Sequence, residues 1–191
     1  MISLVMDTSY RYLTVALADD HRIVASVSYE AWQKQSEFAM QEIARLFEQS
    51  SLQPHDVQRI GVTIGPGSYT GIRIALTIAK VMATELDVPL VTISSLQFMA
   101  GLHGDLHALI DARGGRCFYG HYRNGQSVTP DRVVQLTELP LDEDAQWVGD
   151  THLIHRPSVP FDRVQQLIDL TLHLPPVDDV DAVVPRYLKE F

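Results

Sequence analysis

"GPGSYTGIRIALTIAKVMA", residues Gly65 to Ala83, has the outline of a phosphate-binding loop feeding a helix. A Walker A loop needs Gly, four residues, then Gly-Lys-Ser/Thr, and here Ile72-Arg73 follows Gly71. A dinucleotide fingerprint fails as well, because Ser68-Tyr69-Thr70 puts one residue too many between Gly67 and Gly71. Pro66 lacks the amide N–H that a phosphate cradle uses. The stretch therefore reads as a strand-to-helix turn, with glycines for unusual backbone and Ser68 or Thr70 as the helix cap.

The helix behind the turn is the more informative part. Arg73, Thr77, Lys80 and Thr84 form a narrow polar stripe. Ile72, Ala75, Ala79, Met82 and Leu86 make one apolar row, and Ile74, Ile78 and Val81 make a second. An amphipathic surface helix needs one apolar stripe; two rows ask for a neighbouring helix or another protein.

Working outward, 2–6, Leu13 to Leu17 and 22–28 read as an antiparallel meander with Asp7-Thr8-Ser9 at its first corner. Ser36 is the expected cap of a helix to about Gln49, 57–64 and 89–93 are buried strands, and Ser94 or Ser95 opens a short helix ending at Gly101. The pattern then restarts. Asp7 laid on Asp111 aligns Leu13 with Cys117, Val15 with Tyr119 and Leu17 with His121. An internal duplication follows, with two related α/β domains, 1–103 and 104–191. In the second half, residues 138 to 181 hold ten acids against Arg156 and Arg163, and seven of the ten prolines follow residue 126. That half reads as a reduced domain with long loops, a strand at 146–149 and a helix over 162–172.

A net charge of -9 disfavours a surface that holds nucleic acid by itself, and 46% hydrophobic content is ordinary for a folded chain. The lone Cys117 allows no internal disulfide and reads as a core thiol in a reducing compartment. Asp7 follows Met1 too closely for a signal peptide, and no apolar run reaches membrane-spanning length, so a cytoplasmic location is expected. His103 and His107 are separated by Gly104 and a strand start, and His152 and His155 flank an irregular loop; neither pair has a clear third ligand for a metal. Asp7, Ser9 and Asp111 suit a metal-nucleotide contact, with ordinary Asx turns as the alternative.

Several strings occur together in one order: "MDTS" at Met6 to Ser9, the Gly65 to Lys80 stretch, "ISSLQFMA" at Ile93 to Ala100, "DARGGRCFY" at Asp111 to Tyr119 and "PRYLK" at Pro185 to Lys189. Together they resemble the bacterial TsaB (YeaZ) family. The resemblance implies an actin/Hsp70-like (ASKHA) ATPase fold of two related domains with mixed sheets, the second reduced. It implies a non-catalytic subunit, without a cofactor of its own, that binds and activates the paralogue TsaD. TsaD then transfers threonylcarbamoyl to adenosine 37 of tRNAs reading codons that begin with A, with the ATPase TsaE completing the assembly. tRNA is met only through the complex, and the free subunit can pair with itself. The contact implied is a bundle of the first two helices, with Glu37, Gln41, Tyr69, Thr70, Arg73, Thr77 and Lys80 at the rim and Ile72, Ile74, Ile78 and Val81 at its centre. Asp7, Ser9 and Asp111 would be a vestigial nucleotide site, and the His-x-x-x-His metal pair of the catalytic paralogue is absent from the corresponding stretch, 34–47. The rival reading is an ATP-dependent enzyme of the same fold acting alone.

Overall fold

The computed structural model describes residues 1–31 and 34–188. The chain begins with the expected meander: β1 (Ile2–Asp7), β2 (Tyr12–Asp19) and β3 (Arg22–Glu30), paired antiparallel in sequence. Helix α1 (Gln35–Ser50), β4 (Arg59–Thr63), α2 (Tyr69–Leu86), β5 (Leu90–Ile93) and α3 (Ser95–Ala100) follow. Strands β4 and β5 add parallel to β1, giving a mixed sheet in the order β3-β2-β1-β4-β5. Leu4, Met6, Leu13, Val15 and Leu17 alternate onto one face, where α1 and α2 bury them.

The second sheet has the order β8-β7-β6-β9, from β6 (Asp105–Arg113), β7 (Arg116–Arg123), β8 (Gln126–Gln135) and β9 (Gln146–Gly149). Aligning Asp7 with Asp111 carries Tyr12–Asp19 onto Arg116–Arg123, the bounds of β7. The repeat is also chemical: Ser9 N donates to Asp7 Oδ1 at 2.9 Å and Arg113 N to Asp111 Oδ1 at 2.7 Å, the same Asx turn in both copies. The copies differ by one step of register, Met6 facing Val15 whereas Ile110 faces Phe118, at an irregularity between Asp111 and Arg113. In the second copy a single 3-10 turn, Leu136–Glu138, stands between the third and fourth strands, where the first has α1. This is the actin/Hsp70-like arrangement with a reduced second half.

Helix α4 (Arg163–His173) crosses the expected boundary at 103/104. Its Val164, Leu167, Ile168 and Leu170 pack on Val5, Ala16, Ala18, Val91 and Ile93, the face of the first sheet opposite α1 and α2. The segment after it stays with that sheet: Val177 N donates to Leu90 O at 2.8 Å and Arg186 N to Ile64 O at 2.7 Å. Arg186 then reaches the second sheet, where its guanidinium lies 3.1 Å from the buried Asp131 carboxylate on β8. Lys189 of the C-terminal landmark lies outside the described residues.

Caps follow chemistry more closely than position. Ser68 accepts from Gly71 N at 3.2 Å, and Ser94 accepts from Leu96 N and Gln97 N, both as expected of N-caps. Ser36 is not a cap: α1 starts two residues earlier than that cap implies, at Gln35, with Lys34 at the N-cap position and no side-chain cap.

Candidate functional site

The launch turn is built to hold backbone, not phosphate. Gly65 has φ 104°, a conformation that favours glycine. At Gly67 and Gly71 the reason is close approach: a Cβ would stand 2.1 Å from Ser9 O and 2.1 Å from Thr8 O respectively. The first corner therefore packs directly on the start of α2. Ser68 N donates to Ser9 O at 2.6 Å, and Thr8 Oγ1 donates to Gly71 O at 2.6 Å while accepting from Ala75 N at 3.3 Å. The amides of Ser68 and Gly71 are spent inside the fold.

Asp7 serves the same junction. It is 2% exposed, and its Oδ1 accepts from Ser9 N, Ser9 Oγ and Thr63 Oγ1. A cleft of about 400 Å³ lies between the sheets, lined by Tyr10, Ser36, Ser68, Thr70, Asp111 and Arg113 among others, and by neither Asp7 nor Ser9. Of the expected grouping of Asp7, Ser9 and Asp111, the cleft meets Asp111. The two Asx turns keep Asp7 and Ser9 in the protein interior while Asp111 faces the cleft.

Helix α2 separates its two apolar rows as the sequence demands. Ile72, Ala75 and Ala79 are buried against the sheet, with Met82 and Leu86 at the margin. The other row stays partly free: Ile74 and Ile78 are half-buried, and Val81 is 57% exposed. Gln35 and Ser36 of α1 line the same cleft as Thr70 and Ile74, which sets the N-terminal half of α1 beside this row. On α1, Glu37, Gln41 and Ala44 are exposed, as is Met40 at 57%. An apolar strip with polar edges therefore runs along two neighbouring helices, and exposed strips of this kind mark interaction surfaces.

Three expected members stand differently. Ile72 is fully buried and contributes to the core, so it is withdrawn from the contact row. Its position within the helical period places it with Ala75 and Ala79, over the sheet. Lys80 leaves the polar stripe to donate to Asp181 O at 2.9 Å and Val183 O at 3.0 Å, so the C-terminal segment borders the strip on that side. Tyr69 stacks on Tyr187 at 4.9 Å and accepts from Arg73 at 2.7 Å, so the rim there is a preset polar-aromatic cluster. Thr70, Arg73 and Thr77 are exposed as expected.

Elsewhere, His103 and His107 do not share a helix; His107 lies on β6 and faces His121 of β7. Cys117 is fully buried, and burial pushes its thiol up to about 11, so it is a core residue. Among the described residues no helix is long and apolar enough to cross a membrane.

Comparison with known proteins gives these features a family. Residues 27–150 match the family model described as TsaD, tRNA N6-adenosine threonylcarbamoyltransferase. The TsaB protein of Bacillus subtilis is 36% identical over 146 residues, 72% of this chain and 64% of its own length. TsaB of Escherichia coli is 29% identical over 59% of this chain and 44% of its own. The chain thus spans less than two thirds of either relative. A solved structure named YeaZ from Pseudomonas aeruginosa superposes with a TM-score of 0.78 at 21% identity, covering 98% of this chain and 99% of that one. A second from that organism, titled as an uncharacterized protein with similarity to peptidase YEAZ, gives 0.78 at 22%. At such identity these two establish the fold alone.

Proposed function

The chain belongs to the TsaB (YeaZ) family, related to the threonylcarbamoyltransferase TsaD, and we propose that it is a non-catalytic subunit docking on TsaD through α1 and α2. In this reading it supports the transfer of threonylcarbamoyl to adenosine of tRNA, and meets tRNA only within the assembly. The observation that carries it is the strip formed by Met40, Ile74, Ile78 and Val81, apolar side chains left open on adjacent helices that already bury a full face against their own sheet. A partner helix pair covering the strip would bury those side chains, while Glu37, Gln41, Thr70, Arg73 and Thr77 supply the polar rim that gives an interface its register. Lys80 and Tyr69, tied to the C-terminal segment, extend that rim on one side.

The launch turn supports the same reading. Its amides and glycines are used to seat α2 on the first corner, so the turn fixes the docking helix rigidly and leaves phosphate chemistry to the partner. The rival, a self-sufficient ATP-dependent enzyme, needs Asp7 and Asp111 at one nucleotide, and Asp7 Oδ1 is taken up by Ser9 and Thr63.

Mixing the purified chain with its cognate TsaD and sizing the mixture tests the proposal. A species of summed mass is expected, and the absence of co-elution with both partners folded overturns it. Micromolar Mg-ATP binding by the isolated chain, abolished by Asp7→Ala, would instead favour the enzyme.

A further inference from the structure

The second sheet has a face that none of the above uses. Helix α3 covers one side through Leu96 and Met99, against Ala108, Ile110, Phe118 and Tyr122. Among the described residues, the opposite side is closed by the segment around 136–145 and the 3-10 turn Thr151–Ile154. On that side pairing sets His107 of β6 opposite both His121 of β7 and Trp147 of β9. The three rings stack in a row, with centroids 4.1 Å apart for the imidazole pair and 4.8 Å apart for His107 and Trp147. A cavity of about 620 Å³ opens over this row, lined by Asp105, His107, His121, Thr129, Asp142 and Asp144 among others.

The geometry points to a binding site for a divalent first-row transition ion, such as Zn²⁺, held by His107, His121 and Asp105. One ligand atom from each lies within 4.8 Å of the others. A tetrahedral ion holding ligands at about 2.0–2.1 Å spaces them at roughly 3.3 Å, so the three side chains must turn to meet it. Two imidazoles with a carboxylate form the donor set that suits zinc, nickel and copper, and disfavours calcium or magnesium.

The surroundings add four features of a working site. His107 Nδ1 is 2.7 Å from Tyr119 Oη; with Nδ1–H donating, Nε2 presents its lone pair, which is the usual way a neighbour orients a ligating histidine. Asp105 Oδ1 already lies 2.5 Å from His121 Nε2, while Arg123 Nε holds its other oxygen at 2.8 Å, so the carboxylate is anchored from outside. Asp142 and Asp144, on the covering segment, line the same cavity and add negative charge to it. Thr129 Oγ1, also lining it, is buried without a hydrogen-bond partner. The nearly parallel imidazoles, 10° between planes, must fan apart for both lone pairs to meet one ion. That movement turns the soft terminal torsion of histidine and shifts His107 against Trp147.

Titrating the full chain with Co²⁺ tests the site. The expected result is visible d–d absorption that saturates at one equivalent, is lost on adding Zn²⁺, and is accompanied by a change in tryptophan emission. A Trp32→Phe background assigns that emission to Trp147. His121→Ala and Asp105→Asn are each expected to weaken binding at least about tenfold, and Tyr119→Phe by about 10–100-fold. His152→Ala and His155→Ala should leave it unchanged. Since His107→Ala removes a stacking partner of Trp147, the more exposed Asp105 carries the test, with thermal melts of the metal-free variants as the folding check. No saturable signal below millimolar Co²⁺, or a signal that survives His121→Ala and Asp105→Asn, overturns the proposal.

Discussion

Replacing Val81 by Asp puts a charge at the C-terminal end of the exposed α2 row while leaving the fold almost untouched. Val81 is 57% exposed in the free chain, and Val and Asp have similar helix propensities, so the monomer should lose no more than about 0.5 kcal/mol. Full burial of a valine is worth about 1.5–3 kcal/mol, so the exposed fraction leaves about 0.9–1.7 kcal/mol for a partner to gain. A carboxylate left unpaired within the contact adds about 2 kcal/mol or more. The combined loss is about 3 kcal/mol, or a weakening of roughly 100-fold. Calorimetry with TsaD measures the affinity, and a melt of the free variant checks its fold. The same change at Ile72, which is fully buried, should instead unfold the chain. Affinity for TsaD within about threefold of the parent, with the melt unchanged, would falsify burial of the Ile74–Ile78–Val81 row.

Three further outcomes follow from the packing. Arg186→Ala strips the cation from Asp131, whose remaining partners are Ser94 Oγ and Tyr122 Oη; because Arg186 is itself partly exposed, the cost is about 1–3 kcal/mol, read as a melting point lower by about 3–10 °C, and no drop would mean the pair is idle. Gly71→Ala would gain about 1 kcal/mol on a free helix, yet its Cβ would meet Thr8 O at 2.1 Å, so a net loss of at least about 2 kcal/mol is expected in denaturant unfolding; a stabilised variant refutes the close approach. With burial holding the thiol up at about 11, Cys117 should resist a thiol reagent at pH 8 until denaturant is added, and fast labelling of the native chain would contradict its position.

Local signals in the sequence carried most of the architecture. The apolar runs of β1 and β2, the caps at Ser68 and Ser94 and the two rows of α2 depend on neighbours within a turn or two, and each stands where expected. The repeat was legible because Asp7 and Asp111 open the same turn. Contacts between distant segments were not legible. Nothing near Lys80 announces carbonyls a hundred residues later, and nothing in 163–173 says which sheet its apolar face will cover. Ile72 was misplaced because a helix with two apolar rows does not state which one faces inward. The pairing of His107 with His121 did leave a trace: a turn at Gly114-Gly115 sets the residues seven before and seven after Gly114 opposite each other. Looking for a helical partner at His103 hid it.

The return of α4 to the first sheet has a consequence for the order in which the chain can be made. Residues 1–103 leave the ribosome with Val5, Ala16, Val91 and Ile93 lacking their cover, and that cover is not synthesised until after β9. The first sheet therefore waits for Arg163–His173, with the second sheet formed in the interval as a closed excursion. Folding that depends on joining segments far apart in sequence is slow and leaves apolar surface open meanwhile. A nascent chain halted before Arg163 is expected to need a chaperone, even though every strand of the sheet it must protect has already been made.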